Sequence, residues 1–176
     1  MAGPGARSGA SSAGKRGNGM NIAFFLLPKR EVVCVTLEST LRQTLERMEY
    51  HRYSAVPILD KDGRYAGTVT EGDLLWYMKS RPDLTFKETH RVPLKEVPLR
   101  LDHKAVRIDA QMADLIALAK VQNFVPVTDD MNRFIGIVRR SDIIDYCTSV
   151  MMEKGLLPAD GTRAAREAAD ADGRRT

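Results

Sequence analysis

Residues 54–78 read Ser-Ala-Val-Pro-Ile-Leu-Asp-Lys-Asp-Gly-Arg-Tyr-Ala-Gly-Thr-Val-Thr-Glu-Gly-Asp-Leu-Leu-Trp-Tyr-Met, and the pattern returns at residues 123–147 as Asn-Phe-Val-Pro-Val-Thr-Asp-Asp-Met-Asn-Arg-Phe-Ile-Gly-Ile-Val-Arg-Arg-Ser-Asp-Ile-Ile-Asp-Tyr-Cys. The offset is 69 positions and holds without a gap. Val56, Pro57, Asp60, Arg64, Gly67, Val69, Asp73 and Tyr77 recur as Val125, Pro126, Asp129, Arg133, Gly136, Val138, Asp142 and Tyr146. Each copy begins with a short apolar run carrying Pro near its start, where a strand tolerates it. Asp62-Gly63 signals a turn, and Asn132 suits the same left-handed position in the second copy. Tyr65 to Thr70 is a second run with β-branched residues, so two runs around a short turn predict a hairpin. Gly72-Asp73 and Ser141-Asp142 then open apolar stretches with helical spacing. A helix start leaves backbone N–H groups free, which favours an anion. Each copy is therefore strand, turn, strand, helix, with one carboxylate at the strand-to-helix junction.

The stretch before each copy also repeats. Val32 to Val35 is a strand candidate, and Thr40 with Gln43 has the form of a capping box. Leu41, Leu45 and Met48 follow at helical spacing and predict a helix over 41–50. Val106 to Ile108, then Met112, Ile116 and Ala119, repeat that order, the helical positions at an offset of 71. The fold class is mixed α/β (α+β): two tandem β-α-β-β-α units, each with an apolar face that needs a partner, packed face to face about a pseudo-two-fold axis. Two copies of this length do not make a solenoid. The first unit is expected over 20–80, including an arm at Ile22 to Leu27 that Pro28 ends. A polar linker spans 81–93 and the second unit 94–150, opening with one helical turn at Leu94 to Val97. Residues 1–19, rich in Gly, Ala and Ser, are expected to be disordered, and 151–176 to be disordered or weakly helical.

The composition is that of an ordinary globular chain able to bury a core. Arg7, Lys15 and Arg16 supply three of the four units of formal net charge, in a segment without acids. With no helix-turn-helix pattern or basic stripe, nucleic-acid binding is not expected. Cys34 and Cys147 lack metal-ligand spacing and read as free thiols of a reducing, cytoplasmic compartment. Ile22 to Leu27 is too short for a secretory core, Pro28-Lys29-Arg30 replaces a cleavage site, and no transmembrane span is present. There is no Walker loop, dinucleotide fingerprint or zinc spacing. Glu71 beside Asp73 forms no convergent acid/base pair, and no nucleophile–base set accompanies it.

Gly67-Thr68-Val69-Thr70-Glu71-Gly72-Asp73, with Ser54-Ala55-Val56-Pro57 and Asp60-x-Asp62-Gly63 before it, resembles the signature of CBS domains (cystathionine β-synthase domains). Two copies in register resemble a CBS pair, or Bateman module, over roughly Val32 to Cys147. The resemblance implies non-catalytic, regulatory binding of adenine nucleotides (AMP, ADP or ATP, or alternatively cyclic di-AMP) in two clefts between the repeats, in a homodimer that acts on an unidentified partner. No cofactor, membrane or nucleic acid is implied. Carried over, one cleft sets Thr70 and Asp73 against Val106 to Ile108, with Arg107, and against Asn123, Phe124, Val125 and Pro126. The other sets Arg139, Arg140 and Asp142 against Val33 to Thr36 and against Tyr53, Ser54, Ala55 and Pro57. An aspartate can accept from two ribose hydroxyls, Arg139 and Arg140 can bind phosphate bidentately, and Tyr53 and Phe124 can pack on adenine. The sequence departs from the pattern at Arg139, where the first copy has Thr70, so the two clefts are not equivalent. Set against this, Asp73 and Asp142 are also ordinary helix-start residues, and Trp76, Tyr77 and Tyr146 suit a core or a dimer face. Two other classes compete: an enzyme with an unrecognised site, and a constitutive dimeric scaffold.

Overall fold

The computed structural model describes residues 21–157; the expectations for residues 1–19 and for most of the tail lie outside them. The elements are β1 (Leu27–Pro28), β2 (Val35–Thr36), α1 (Leu41–His51), β3 (Ala55–Leu59), β4 (Tyr65–Thr70), α2 (Glu71–Lys79), β5 (Val106–Arg107), α3 (Met112–Ala119), β6 (Phe124–Thr128), β7 (Phe134–Arg139) and α4 (Arg140–Glu153). They form two separate sheets, ordered β2-β3-β4 and β1-β7-β6-β5. In each, a parallel strand precedes an antiparallel hairpin, β2 on β3 and β5 on β6.

The repetition extends to single hydrogen bonds. The Asp60 carboxylate accepts from the Asp62 and Arg64 amides at 2.8 Å each, and Asp129 accepts from Met131 and Arg133 at 2.9 and 2.8 Å. Each aspartate folds its hairpin turn over its own side chain. Gly63 and Asn132 take the left-handed position of the two turns, at φ +76° and +61°. Both hairpins bulge at the same step, Ile58/Leu59 and Val127/Thr128. The predicted capping box of α1 is present: Gln43 N donates to Thr40 Oγ1, and Thr40 N to Gln43 Oε1.

The pseudo-two-fold axis runs where residues meet their own counterparts. Arg64 bridges Arg133, the Tyr65 and Phe134 rings stack at 6.3 Å, and Asn123 Nδ2 donates to Ser54 Oγ at 3.4 Å. Beside the axis, buried Leu59, Phe124, Phe134 and Ile137 form a core shared by both sheets.

The other two cores depend on an exchange. Ile22, in a 3₁₀ turn at residues 22–25, is fully buried in the second unit's core with Leu115, Val125 and Val138. Reciprocally, Val92, Leu94 and Val97 are buried in the first unit's core with Leu41, Val56 and Leu74. The arm expected with the first unit thus packs on the second, and the turn expected to open the second unit packs on the first. Backbone bonds secure the linker end: Leu41 N donates to Val92 O, Leu94 N to Ser39 O and Lys95 N to Leu37 O. Residues 86–91 form a further 3₁₀ turn with Thr89 buried, so this part of the linker is built into the first unit.

One glycine is required by the exchange. β1 pairs antiparallel with β7, and a Cβ at Gly136 would lie 2.2 Å from the Leu27 carbonyl oxygen. Three readings of detail change. The strand read at Val32 to Val35 lies at Val35–Thr36, because residues 29–31 form a 3₁₀ turn just before it. On α3 the buried residue is Leu115, and Ile116 is partly exposed, because the apolar stripe is set by the exchanged Ile22 as well as by the sheet. And α4 runs to Glu153, past the boundary set at residue 150.

Because each core contains a side chain delivered from outside its own unit, Ile22→Ala is expected to cost about 2–5 kcal/mol and to keep unfolding a single transition. Urea denaturation followed by fluorescence and by circular dichroism checks this. Two separate transitions in the variant, one at the wild-type midpoint, would show that the units do not depend on each other.

Candidate functional site

Between the two sheets, on the side where β7 runs into α4, lies a cavity of about 480 Å³. Its walls come from both units. Val33 and the residues around Glu31 supply one, Tyr53, Ala55 and Pro57 a second, and Asn123, Phe124, Ile137, Arg139 and Arg140 the third. Strand alternation explains the grouping: Ala55 and Pro57 share one face of β3, and Ile137 and Arg139 share one face of β7. Eight residues singled out from the sequence therefore meet in one place. Asn123 and Phe124, which the resemblance set opposite Asp73, line this cleft instead, because the pseudo-two-fold axis passes beside them. Ser54 touches the cleft through its contact with Asn123. Val125 is fully buried in the second core and Pro126 is buried in β6, so neither side chain is available to a ligand. Leu27, Glu31, Val32 and Ile137 also line the cavity and were missed; Ile137 was accessible to the alternation rule, two residues before Arg139.

The charges at the mouth have distinct jobs. Arg140 Nε donates to the Gln122 carbonyl at 2.9 Å and its Nη2 to Asn123 Oδ1 at 2.6 Å, bracing the loop that carries Asn123. Arg139 is more exposed, and its Nε donates to Asp142 Oδ2 at 2.9 Å. Arg139 and Leu27 line a second, neighbouring cavity of about 660 Å³, bounded by Phe24 to Leu27 of the arm and by Asp142, Asp145, Tyr146 and Ser149 of α4. Asp142 thus sits on the far side of Arg139 from the first cavity. The arrangement offers a cationic, planar donor between two apolar-walled spaces, with a carboxylate beside it, which is chemistry for an aromatic base, a polyol and an anion.

The first copy's aspartate is placed differently. Thr70 caps α2, and Thr70 N and Oγ1 donate to Asp73 Oδ2 at 2.9 and 2.7 Å. Asp73 Oδ1 accepts from the Arg100 amide at 2.9 Å, and the residue is 3% exposed. Arg107, expected in the same cleft, is exposed and pairs with Asp109 at 3.1 Å. Among the described residues no group of three or more His, Cys, Asp or Glu side chains is placed to hold a metal, and no helix is long and apolar enough to cross a membrane. Cys34 and Cys147 are free.

With this geometry in view, the relationships to known proteins are specific. The model of the CBS domain family matches residues 26–80 and 94–149. The chain belongs to the CBS-domain family and carries two such domains in tandem. A CBS domain-containing protein of Dictyostelium discoideum is 25% identical over 138 residues, covering 75% of this chain and 95% of that protein. Among solved structures, CbpB in complex with c-di-AMP has a TM-score of 0.67 at 22% identity, covering 77% of this chain and 89% of that one. CBSX2 in complex with AMP has a TM-score of 0.60 at 19% identity, covering 75% and 98%. At these identities the solved structures establish a shared fold.

Cys34, next to Val33 of the cleft wall, offers a chemical check on the packing. Burial pushes its thiol up to about 11 from an ordinary 9.0, against smaller opposing effects of Lys29 and Arg47. At pH 8 its thiolate fraction falls roughly a hundredfold, so alkylation should be about that much slower in the folded chain than in urea. The folded chain holds this proton to higher pH than the unfolded one, so the Cys34 contribution to stability is full below about pH 9 and is lost as pH rises towards 11. Mass spectrometry after timed iodoacetamide exposure reads the rate; equal rates folded and unfolded would contradict the burial of Cys34.

Proposed function

We propose that this chain is a non-catalytic, adenine-nucleotide-binding regulatory protein whose ligand sits in the cleft under Arg139. The carrying observation is the convergence of Val33, Tyr53, Ala55, Pro57, Asn123, Phe124 and Arg139 from both repeats around one cavity. Its apolar walls suit a purine, with the Phe124 and Tyr53 rings at its margins. Arg139 suits a phosphate, because its guanidinium is exposed and need only exchange the Asp142 carboxylate for another anion. A ribose that reaches past Arg139 into the neighbouring cavity then meets the Asp142 carboxylate, released in that exchange as an acceptor. Two proteins of the same fold support the ligand class: CbpB was solved with c-di-AMP and CBSX2 with AMP.

AMP, ADP and ATP all fit this chemistry. The second cavity favours a larger reading as well: it shares Leu27 and Arg139 with the first, so a ligand with two bases and two phosphates, such as cyclic di-AMP, could place one base on either side of Arg139. Regulation follows if the two repeats have two relative arrangements and the nucleotide binds one of them better; the ligand shifts the balance only by that difference. Leu75 of α2 and Ile144 of α4, counterparts at the 69-residue offset, are both more than half exposed. Such a symmetric apolar pair supports a homodimer, through which the signal would reach a regulated partner in the cytoplasm. A dimeric scaffold with an empty cleft is the alternative.

Calorimetry with AMP, ATP and cyclic di-AMP tests the reading. Arg139→Ala should weaken binding by roughly tenfold, the lower end for a charged hydrogen bond, because the displaced Asp142 contact offsets part of the gain. Raising the salt should reduce the wild-type advantage. Ala55→Phe should abolish binding by filling the cavity while leaving the fold intact by circular dichroism. No heat with any of the three, from a folded wild-type chain, would reject the nucleotide reading and leave the scaffold.

A further inference from the structure

The two aspartates of the repeated motif do not do the same thing, and the difference lies in what the chain itself places over each. In the first copy the segment Leu99–Lys104 is laid across the junction of β4 and α2. Leu99 places its Cδ1 2.7 Å from where a Cβ of Gly67 would be, and Gly67 holds φ +145°, a backbone conformation that residues with a side chain rarely adopt. The Arg100 amide donates to Asp73 Oδ1 at 2.9 Å, and the Arg100 guanidinium lies 5.4 Å from the centre of the Trp76 ring. Tyr65 Oη donates to the His103 carbonyl at 3.2 Å. The far end is clamped in both directions: Lys104 N donates to Gln122 Oε1 at 2.8 Å, and Gln122 Nε2 to Lys104 O at 3.0 Å. Gln122 itself is 3% exposed.

The corresponding segment before the first copy takes another course. Leu27 and Pro28 pair with β7 as an edge strand, and the chain then turns through residues 29–31 and lines the open cleft. The hydrogen bonds to the Asp142 carboxylate come from the side chains of Arg139 and Ser141, both exposed and exchangeable. Arg139, lacking a side-chain cap bond to α4, reaches outward; Thr70, which caps α2, holds Asp73 inward.

We propose that the chain has a single open nucleotide cleft, and that the pseudo-equivalent cleft is plugged by its own segment Leu99–Lys104, latched through Asp73 to the Arg100 amide. Asp73 is then a positioning residue of the strap and not a ribose acceptor. Three of the roughly four acceptor positions of the Asp73 carboxylate are already met by Thr70 and by Arg100, and at 3% exposure the remaining one is turned away from solvent. The occupancy of one nucleotide per chain rests on the function proposed above; the latch does not.

Two readouts on the full-length chain separate them. Amide hydrogen exchange reports the latch directly: the Arg100 amide should be protected in the wild type and exchange roughly tenfold faster or more in Asp73→Ala. Calorimetry should give one equivalent of AMP per wild-type chain, and the affinity of that first equivalent should be unchanged in Asp73→Ala, where Leu99 still covers the plugged cleft, although the melting temperature falls. Leu99→Ala leaves the carboxylate and the helix cap in place, and serves if Asp73→Ala does not fold. It should free the Arg100 amide and admit a second, weaker equivalent of AMP. An unprotected Arg100 amide in the wild type would overturn the latch. Two equivalents in the wild type, or a freed Arg100 amide in Leu99→Ala with the stoichiometry still at one, would overturn the plug. No AMP bound at all would strike the proposed function, and the exchange rates would then decide the latch alone.

Discussion

The structure depends on an exchange of short apolar segments between two similar units. Ile22 completes the core of the unit that follows second in the chain, and Leu94 with Val97 completes the core of the first. Neither unit closes its core with its own residues, so the two must fold against each other, and the hydrophobic gain is available only to the pair. The exchange also fixes where chain crosses chain. The backbone of β1 passes so close to Gly136 that any side chain there would collide with the Leu27 carbonyl, and Leu99 presses on Gly67 in the other copy. The glycine of the repeated motif is therefore a crossing point, and the residues just after it inherit whatever the crossing segment does.

One motif then yields two different sites. In the first copy the residue at the helix start is a threonine, small enough to fold its hydroxyl back onto the aspartate three residues on and close a capping box. That turns Asp73 inward, towards a backbone amide delivered by the crossing segment. In the second copy the same position is Arg139, too long to cap, and it extends outward to pair with Asp142. The ion pair is exposed enough to contribute little to stability, which leaves it free to exchange partners. A single substitution between copies thus separates a buried carboxylate from a partly exposed one.

Much of this was legible in the sequence. The ungapped repeat announced two units, Gly63 and Asn132 announced equivalent turns, and Thr40 with Gln43 announced the start of α1; all rest on local chemistry. The residues of the cleft under Arg139 were named through the resemblance to the CBS pattern; the alternation of β3 and β7, which puts Ala55 with Pro57 and Arg139 with Ile137, is the physical reason they share it. The exchange was not legible, because a single 3₁₀ turn such as Ile22–Phe25 or Leu94–Glu96 shows no period and names no partner. Nor was the orientation of Asp73. Its decisive donor is the backbone amide of Arg100, and a backbone amide is the same at every position that is not proline. Val125 looked available because it lies in the motif, yet the pleat that exposes Phe124 to the cleft sends Val125 into the core.

The proposed ligand enters one cleft only, the one walled by both repeats under Arg139. Mapping amide chemical shifts during titration with AMP tests it most directly. Shifts are expected at Val33, Ala55, Asn123, Phe124 and Arg139, with Thr70, Asp73 and Arg100 unmoved. Shifts centred on Thr70, Asp73 and Arg100, with the Arg139 cleft silent, would contradict it.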